Sequence, residues 1–289
     1  MTLRKALFGV VIGLILVGCG SSRDGDAVVA NIGDLGHVHD IVVEDSDVFL
    51  AAHSGLFRVE GPGRAVLVGE FRHDFMSMGK GPDGLIASGH PDLRFDEWRV
   101  EGKPAHLGFV ASDDLGGSWT PVSLLGEVDF HSLTSRSDGG FYGADSSGGI
   151  LASVDGVTWE ERSANSATDL AASPTEPDEV LAVDAESGQL VLSVDGARTW
   201  TVVEDAPQLA RVQWRANDIV GISNDSKLYT AASTDSQWLQ IGELAEEPVA
   251  FTTSGEQWWV VMHDAAVLHS DDGARTFRFI YEPPARPGS

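Results

Sequence analysis

The chain has 289 residues, with 19 Lys and Arg against 44 Asp and Glu, for a formal net charge of −25. So few cations leave no basis for displacing counterions from a nucleic-acid backbone, and they disfavour a polybasic contact with anionic lipid. A single Cys excludes an intrachain disulfide framework and a cysteine-based metal site, while 42% hydrophobic residues suffice for a sizeable core.

The first segment reads as an address. Arg4 and Lys5 form a short positive region, and residues 6–17 are an uncharged apolar run. That run is about 12 residues, shorter than the ~20 a bilayer span needs, and suits a secretory signal. It ends in Leu16-Val17-Gly18-Cys19, which holds the lone cysteine. This ending resembles the lipobox of bacterial lipoproteins. The resemblance implies cleavage before Cys19, lipid on its sulfur and new amino group, and anchorage at the extracytoplasmic face of the cell membrane. An ordinary secretory signal with an incidental Cys is the alternative, and it too places the chain outside the cytoplasm. The expected organisation is a signal over 1–18, the lipidated Cys and a flexible Gly/Ser tether over 19–26, one folded domain over 27–282, and a disordered tail over 283–289.

A repeat near forty residues follows. Ser112-Asp113-Asp114-Leu115-Gly116-Gly117-Ser118-Trp119 recurs as Ser193-Val194-Asp195-Gly196-Ala197-Arg198-Thr199-Trp200 and as Ser270-Asp271-Asp272-Gly273-Ala274-Arg275-Thr276-Phe277. Ser153-Val154-Asp155-Gly156-Val157-Thr158-Trp159 is one residue shorter, and Ser233-Thr234-Asp235-Ser236-Gln237-Trp238 is a degraded copy. Such a motif makes a tight hairpin turn. The carboxylates of Asp114, Asp155, Asp195, Asp235 and Asp272 accept turn N–H groups, Gly supplies positive φ, and the aromatic residue opens the next strand. These Asp are therefore read as structural.

Each period reads as four short strands. In one they are 170–172, 180–183, 190–193 and 200–203, apolar runs split by turn residues. Third strands fall near residues 57, 109, 151, 191, 229 and 267. The fold expected is an all-β propeller of six blades, each of four antiparallel strands. Seven blades are the alternative, supported by a spare strand over 27–32. In the six-bladed reading that strand lies against the last blade as closure.

The repeat motif resembles the Asp-box (BNR) repeat of sialidases, sortilin-type receptors and photosystem II assembly factors, all β-propellers. In such propellers the motif joins third and fourth strands on one face. The opposite face receives the loops into first strands and the loops after second strands. His37, His39 and Asp40 enter blade one there, His73 and Asp74 enter blade two, and Asp129 and His131 enter blade three. His53, His90 with Asp92, and Asp145 end second strands, and His106 ends a long insertion over 89–107. Seven of the nine histidines thus fall in blades one to three on one face. Blades four to six offer the thinner set Asp169, Asp184 and His263.

Imidazole and carboxylate donors suit a divalent Zn, Cu, Fe or Mn ion. The candidate set is His37, His39, His53, His73, Asp74, His90, Asp92, His106, Asp129 and His131, binding a metal or a small polar ligand. The alternative is a channel rim where His and Asp merely solvate one another. The insertion, with Phe95, Trp98, Arg94, Arg99 and Lys103, reads either as a lid over this face or as a cap on a neighbouring blade.

The stretches His37-Val38-His39, Ser88-Gly89-His90-Pro91-Asp92 and Gly126-Glu127-Val128-Asp129-Phe130-His131 are similar to a group of secreted or lipid-anchored bacterial Asp-box proteins usually labelled glycosyl hydrolase or exo-sialidase-like. The resemblance covers residues 30–281. It implies a hydrolase acting on extracellular glycans, but the sialidase arginine motif is absent, its place reading His37-Val38-His39-Asp40. Tyr142, Tyr229 and Tyr281 all fit strands or a strand end, so no nucleophile carries over. A two-carboxylate hydrolase would draw on Asp74, Asp92, Asp129 and Asp145. A third possibility is an interaction or assembly propeller that grips a protein. Beyond the lipid anchor the expected partners are a small polar ligand or a glycan, and the expected state is a monomer.

If Cys19 carries the lipid, Cys19→Ala shifts the mature chain out of the membrane fraction or leaves the precursor uncut. A variant still processed and membrane-held would overturn the assignment; fractionation and intact-mass measurement decide it.

Overall fold

The computed structural model describes residues 29–30 and 35–284. The signal, Cys19 and tether expected over 1–26, and residues 285–289 of the expected tail, lie outside the described residues. The domain is a six-bladed β-propeller. A short strand β1 (Val29–Ala30) precedes blade one, which comprises β2 (Val38–Glu44), β3 (Asp47–Ala52), β4 (Gly55–Gly61) and β5 (Arg64–Leu67). Blade two is β6 (Asp74–Gly81), β7 (Gly84–His90), β8 (Phe109–Ser112) and β9 (Thr120–Ser123). Blade three is β10 (Phe130–Ser135), β11 (Phe141–Asp145), β12 (Ile150–Ser153) and β13 (Trp159–Ser163). Blade four is β14 (Ala167–Ala172), β15 (Val180–Asp184), β16 (Leu190–Ser193) and β17 (Thr201–Val202). Blade five is β18 (Leu209–Trp214), β19 (Ile219–Ser223), β20 (Lys227–Ala231) and β21 (Leu239–Glu243). Blade six is β22 (Pro248–Ser254), β23 (Gln257–Met262), β24 (Val267–Ser270) and β25 (Arg278–Tyr281). Every ladder is antiparallel, and each blade runs in chain order from axis to rim.

The spare strand does not close the last blade. β1 pairs with β5, Val29 opposite Val66 and Ala30 opposite Ala65, and so adds a fifth strand to the rim of blade one. The rim strand β5 has a free outer edge, and β1 occupies it by antiparallel pairing. The ring is closed instead by packing. Leu35, Val38, Ile41, Leu50 and Phe57 of the first blade form one apolar cluster with Ala250, Trp259, Val261, Val267 and Tyr281 of the last. Along β2 the side chains alternate between neighbours: Ile41 and Val43 face blade six, and Val42 joins the cluster with blade two.

The Ser-x-Asp turns lie between third and fourth strands. Asp195 accepts from the N–H groups of Arg198 (3.0 Å) and Thr199 (2.9 Å) and from the Thr199 hydroxyl (2.6 Å), while the Ser193 hydroxyl accepts from Ala197 N–H (2.9 Å). Asp272 repeats the pattern with Arg275 and Thr276, Asp114 with Ser118, and Asp155 with Val157 and Thr158. The turn demands a left-handed residue, and Ala197 and Ala274 adopt φ of +68° and +67° there. Asp235 departs from its expected role: the hydroxyls of Ser233 and Ser236 bond each other at 2.8 Å, and no donor reaches its carboxylate among the described residues. Trp238 follows Asp235 by three positions, against five from Asp195 to Trp200 and four from Asp155 to Trp159, so the loop is too short to fold N–H groups around the acid. The aromatic residue then packs; Trp119 is 6% exposed, against Phe75.

The Thr199 hydroxyl and N–H hold Asp195 down at about 2, below the ordinary 3.8. A depressed carboxyl stabilises the fold above its ordinary pKa and loses that contribution as pH falls from about 4 toward about 2. Asp195→Asn is therefore expected to show a flatter acid dependence of melting temperature than the unsubstituted protein over that window. Coincident pH profiles in a thermal melt series would contradict the turn's role.

Candidate functional site

Every first strand carries a bulge near its start. The register skips His39 in β2, Met76 in β6, His131 in β10, Thr168 in β14, Ala210 in β18 and Val249 in β22. A bulged residue is unpaired and re-aimed. His39 and His131 consequently line the axial cavity, which measures about 690 Å³. Between them stand Asp74 and His90, cross-strand partners at the end of the β6–β7 ladder. That end requires Gly89, at φ +138°, because a Cβ there would come within 2.0 Å of the Asp74 carbonyl oxygen. Blade three is pinned alongside: the Ser77 hydroxyl donates to Phe130 O (2.8 Å), and the Ser88 hydroxyl accepts from Phe130 N–H (2.9 Å).

The polar groups form a continuous arc. His53 Nδ1 is 3.0 Å and His39 Nε2 is 3.7 Å from the Asp74 carboxylate. His90 spans the gap between blades, with Nδ1 3.4 Å from Asp74 Oδ2 and Nε2 3.5 Å from Asp129 Oδ2. His131 Nε2 lies 3.0 Å from the same Asp129 oxygen. The rings of His90 and His106 stand 5.8 Å apart. Two groups have donor atoms mutually within 4.8 Å: His39, His53 and Asp74, and His90, His106 and Asp129. Within them His39 Nε2, Asp74 Oδ1, His106 Nδ1 and Asp129 Oδ1 are buried without a hydrogen-bond partner.

Electrostatics follow from this crowding. The hydrogen bond to Asp74, with Asp129 beyond, raises the His90 pKa. Burial lowers that of His39 against the pull of Asp74. Burial tends to raise Asp129, which is 4% exposed, but His131 and His90 outweigh it and hold the carboxyl below its usual range. Deeper in the cavity, burial pushes Asp40 up to about 7 and raises Asp169. Their oxygens are occupied in joining blades: Asp40 accepts from Met78 N–H (3.0 Å), and Asp169 accepts from Val212 N–H (2.7 Å) and the Ser132 hydroxyl (3.2 Å).

Of the ten residues expected at the site, seven converge: His39, His53, Asp74, His90, His106, Asp129 and His131. His37 is exposed at the margin, its ring 6.5 Å from His39. His73 and Asp92 do not join. His73 is fully buried, stacked on Phe71 and edge-on to Trp98, and its Nδ1 accepts from Asp92 N–H at 2.8 Å. Burial depresses it to about 4, so it is neutral. Asp92 binds Arg94 and the Arg72 N–H, and Asp145 accepts from Asp129 N–H (3.2 Å) and so positions its neighbour. Of the four carboxylates considered for hydrolysis, only Asp74 and Asp129 face the imidazoles. His263 is the residue that sequence reasoning undervalued: its ring is 6.0 Å from His37 across the junction of blades six and one. Its place at the end of a second strand was the available signal.

The insertion packs rather than lying free. Trp98, 3% exposed on a 3-10 turn (Asp96–Trp98), sits with Phe71, Phe95 and His73 over the junction of blades one and two. Its cations have local partners, Arg94 with Asp92, Arg99 with Leu93 O, and Lys103 with Glu127. Tyr142 and Tyr281 are fully buried.

A family model described as the DUF6242 beta propeller domain matches residues 101–213. No curated protein matches the chain. Among solved structures, YCF48 bound to D1 peptide is similar at 15% identity and TM-score 0.52, covering 88% of this chain and 84% of that one. The GH74 xyloglucanase of Xanthomonas campestris is similar at 17% identity and TM-score 0.55, covering 86% of this chain but only 39% of that one. The WD40 beta propeller domain of Doa1 is similar at 13% identity and TM-score 0.60, covering 89% and 88%. At these identities the likeness is one of fold.

Truncating Trp98 to Ala empties an aromatic cluster and is expected to cost about 3–5 kcal/mol in urea unfolding. An unchanged midpoint would show that the insertion is not part of the core.

Proposed function

We propose that this is a metal-binding propeller, held at the extracytoplasmic face of a membrane by lipid on Cys19. The observation that carries the metal reading is the convergence of imidazole nitrogens on two carboxylates whose buried lone pairs lack donors. Leaving such atoms unpaired is costly, and a cation coordinated by both donor types removes the cost. Nitrogen-rich sets with one carboxylate favour Zn, Cu or Ni over Ca or Mg. The anchor rests on Arg4, Lys5, the apolar run and Leu16-Val17-Gly18-Cys19.

Hydrolysis of glycans is supported less. A general acid needs a raised pKa, and Asp129 is held low while the raised Asp40 and Asp169 are committed to neighbouring blades. A protein-gripping role is the second reading, favoured by the solved propeller that holds a D1 peptide.

Titration of metal-free protein with Zn, Cu, Ni and Mn is expected to raise the melting temperature for at least one ion. The gain is ~2.7 kcal/mol at a hundredfold excess over Kd, and it disappears in Asp74→Asn, Asp129→Asn double-substituted protein. No shift with any ion, together with no metal in protein purified without chelator, would overturn the reading.

A further inference from the structure

His90 is the one imidazole with a ring nitrogen at each carboxylate: Nδ1 at Asp74 and Nε2 at Asp129. On the Asp74 side, His39 Nε2, His53 Nδ1 and His90 Nδ1 approach the carboxylate at 3.7, 3.0 and 3.4 Å. On the Asp129 side, His90 Nε2 and His131 Nε2 approach at 3.5 and 3.0 Å, and His106 forms a cluster with His90 and Asp129 whose donor atoms lie mutually within 4.8 Å. Three donors lie mutually within 4.8 Å on each side, His39, His53 and Asp74 on one and His90, His106 and Asp129 on the other, and His90 Nδ1, 3.4 Å from Asp74 Oδ2, is the nitrogen that reaches from the second set toward the first. Buried atoms without a hydrogen-bond partner occur in each half, His39 Nε2 and Asp74 Oδ1 in one, His106 Nδ1 and Asp129 Oδ1 in the other. A single ion would satisfy one half and leave the other's lone pairs stranded.

We infer that the face holds a pair of transition-metal ions of the Cu or Zn class, joined by His90 as a bridging imidazolate. This rests on the metal-binding reading above and adds the number of ions and their covalent link. Each ion takes one ring nitrogen. The neutral ring has a single N–H, so binding of the second ion releases that proton to solvent and leaves the ring anionic between two cations. The bridge joins the first and second inner strands of the site to blade three, so the two ions fill cooperatively.

The test loads chelator-stripped, full-length protein without a histidine tag, in detergent, with Cu²⁺. Bound copper is counted by elemental analysis and unpaired spins by electron paramagnetic resonance. Two coppers per chain with a low-temperature spin count well below the copper content are expected, because an imidazolate bridge couples the two spins. In His90→Ala the spin count rises to equal whatever copper remains bound. One copper per chain would overturn the pair while leaving the metal-binding function standing. Two coppers with a full spin count in the unsubstituted protein would overturn the bridge. No copper, and no other ion in the melting titration, would overturn both. Should His90→Ala fail to fold, the copper and spin counts of the unsubstituted protein decide the question alone.

Discussion

The ring depends on apolar contact between two sheets that share no strand among the described residues. Blades one and six meet through Leu35, Val38 and Ile41 on one side and Trp259, Val261 and Tyr281 on the other. Burial of this kind is non-directional, so shape complementarity sets how the first and last blades meet. Closure fixes the axial cavity, the direction of every inner strand, and the approach of His263 to His37. Between the other blades, directional links assist: Ser77 and Ser88 clasp Phe130, and Asp169 reaches both neighbouring blades.

Polar groups near the axis divide into two kinds by what their oxygens meet. Asp40 and Asp169 are surrounded by backbone N–H groups and serve the joints, and burial raises their pKa values without freeing an oxygen. Asp74 and Asp129 lie one layer higher, where the bulges turn His39 and His131 inward and where backbone donors run out. Imidazole nitrogens take the place of amides there. That difference of one layer separates a structural acid from a candidate ligand.

The two faces of the propeller are specialised accordingly. In the Ser-x-Asp turns of Asp114, Asp155, Asp195 and Asp272 the carboxylate is satisfied within its own loop. The opposite face gathers contacts between blades, His39 and His53 of blade one with Asp74 of blade two and His90 of blade two with Asp129 at blade three. The insertion strengthens this face by burying Trp98 over the first two blades and by returning the chain so that His106 stands beside His90.

Local physics was legible in the sequence. The forty-residue spacing of serine, aspartate and tryptophan specified six blades, the face on which turns lie, and hence the face to which the histidines belong. A turn needs only residues a few positions apart, and its hydrogen bonds are made within that span. What tertiary structure alone decided is which histidines serve the site. His73 and His90 look equivalent along the chain, yet His73 is drawn under Trp98 by apolar burial and His90 is left between two carboxylates. The strand at residues 29–30 found the free rim of blade one and not the last blade, and Asp235 lost its turn because its loop is two residues shorter than that of Asp195. His263 meets His37 only because the ring closes. Periodicity records what each residue does to its neighbours in sequence; pairing across blades depends on the packing of whole sheets, which no single segment encodes.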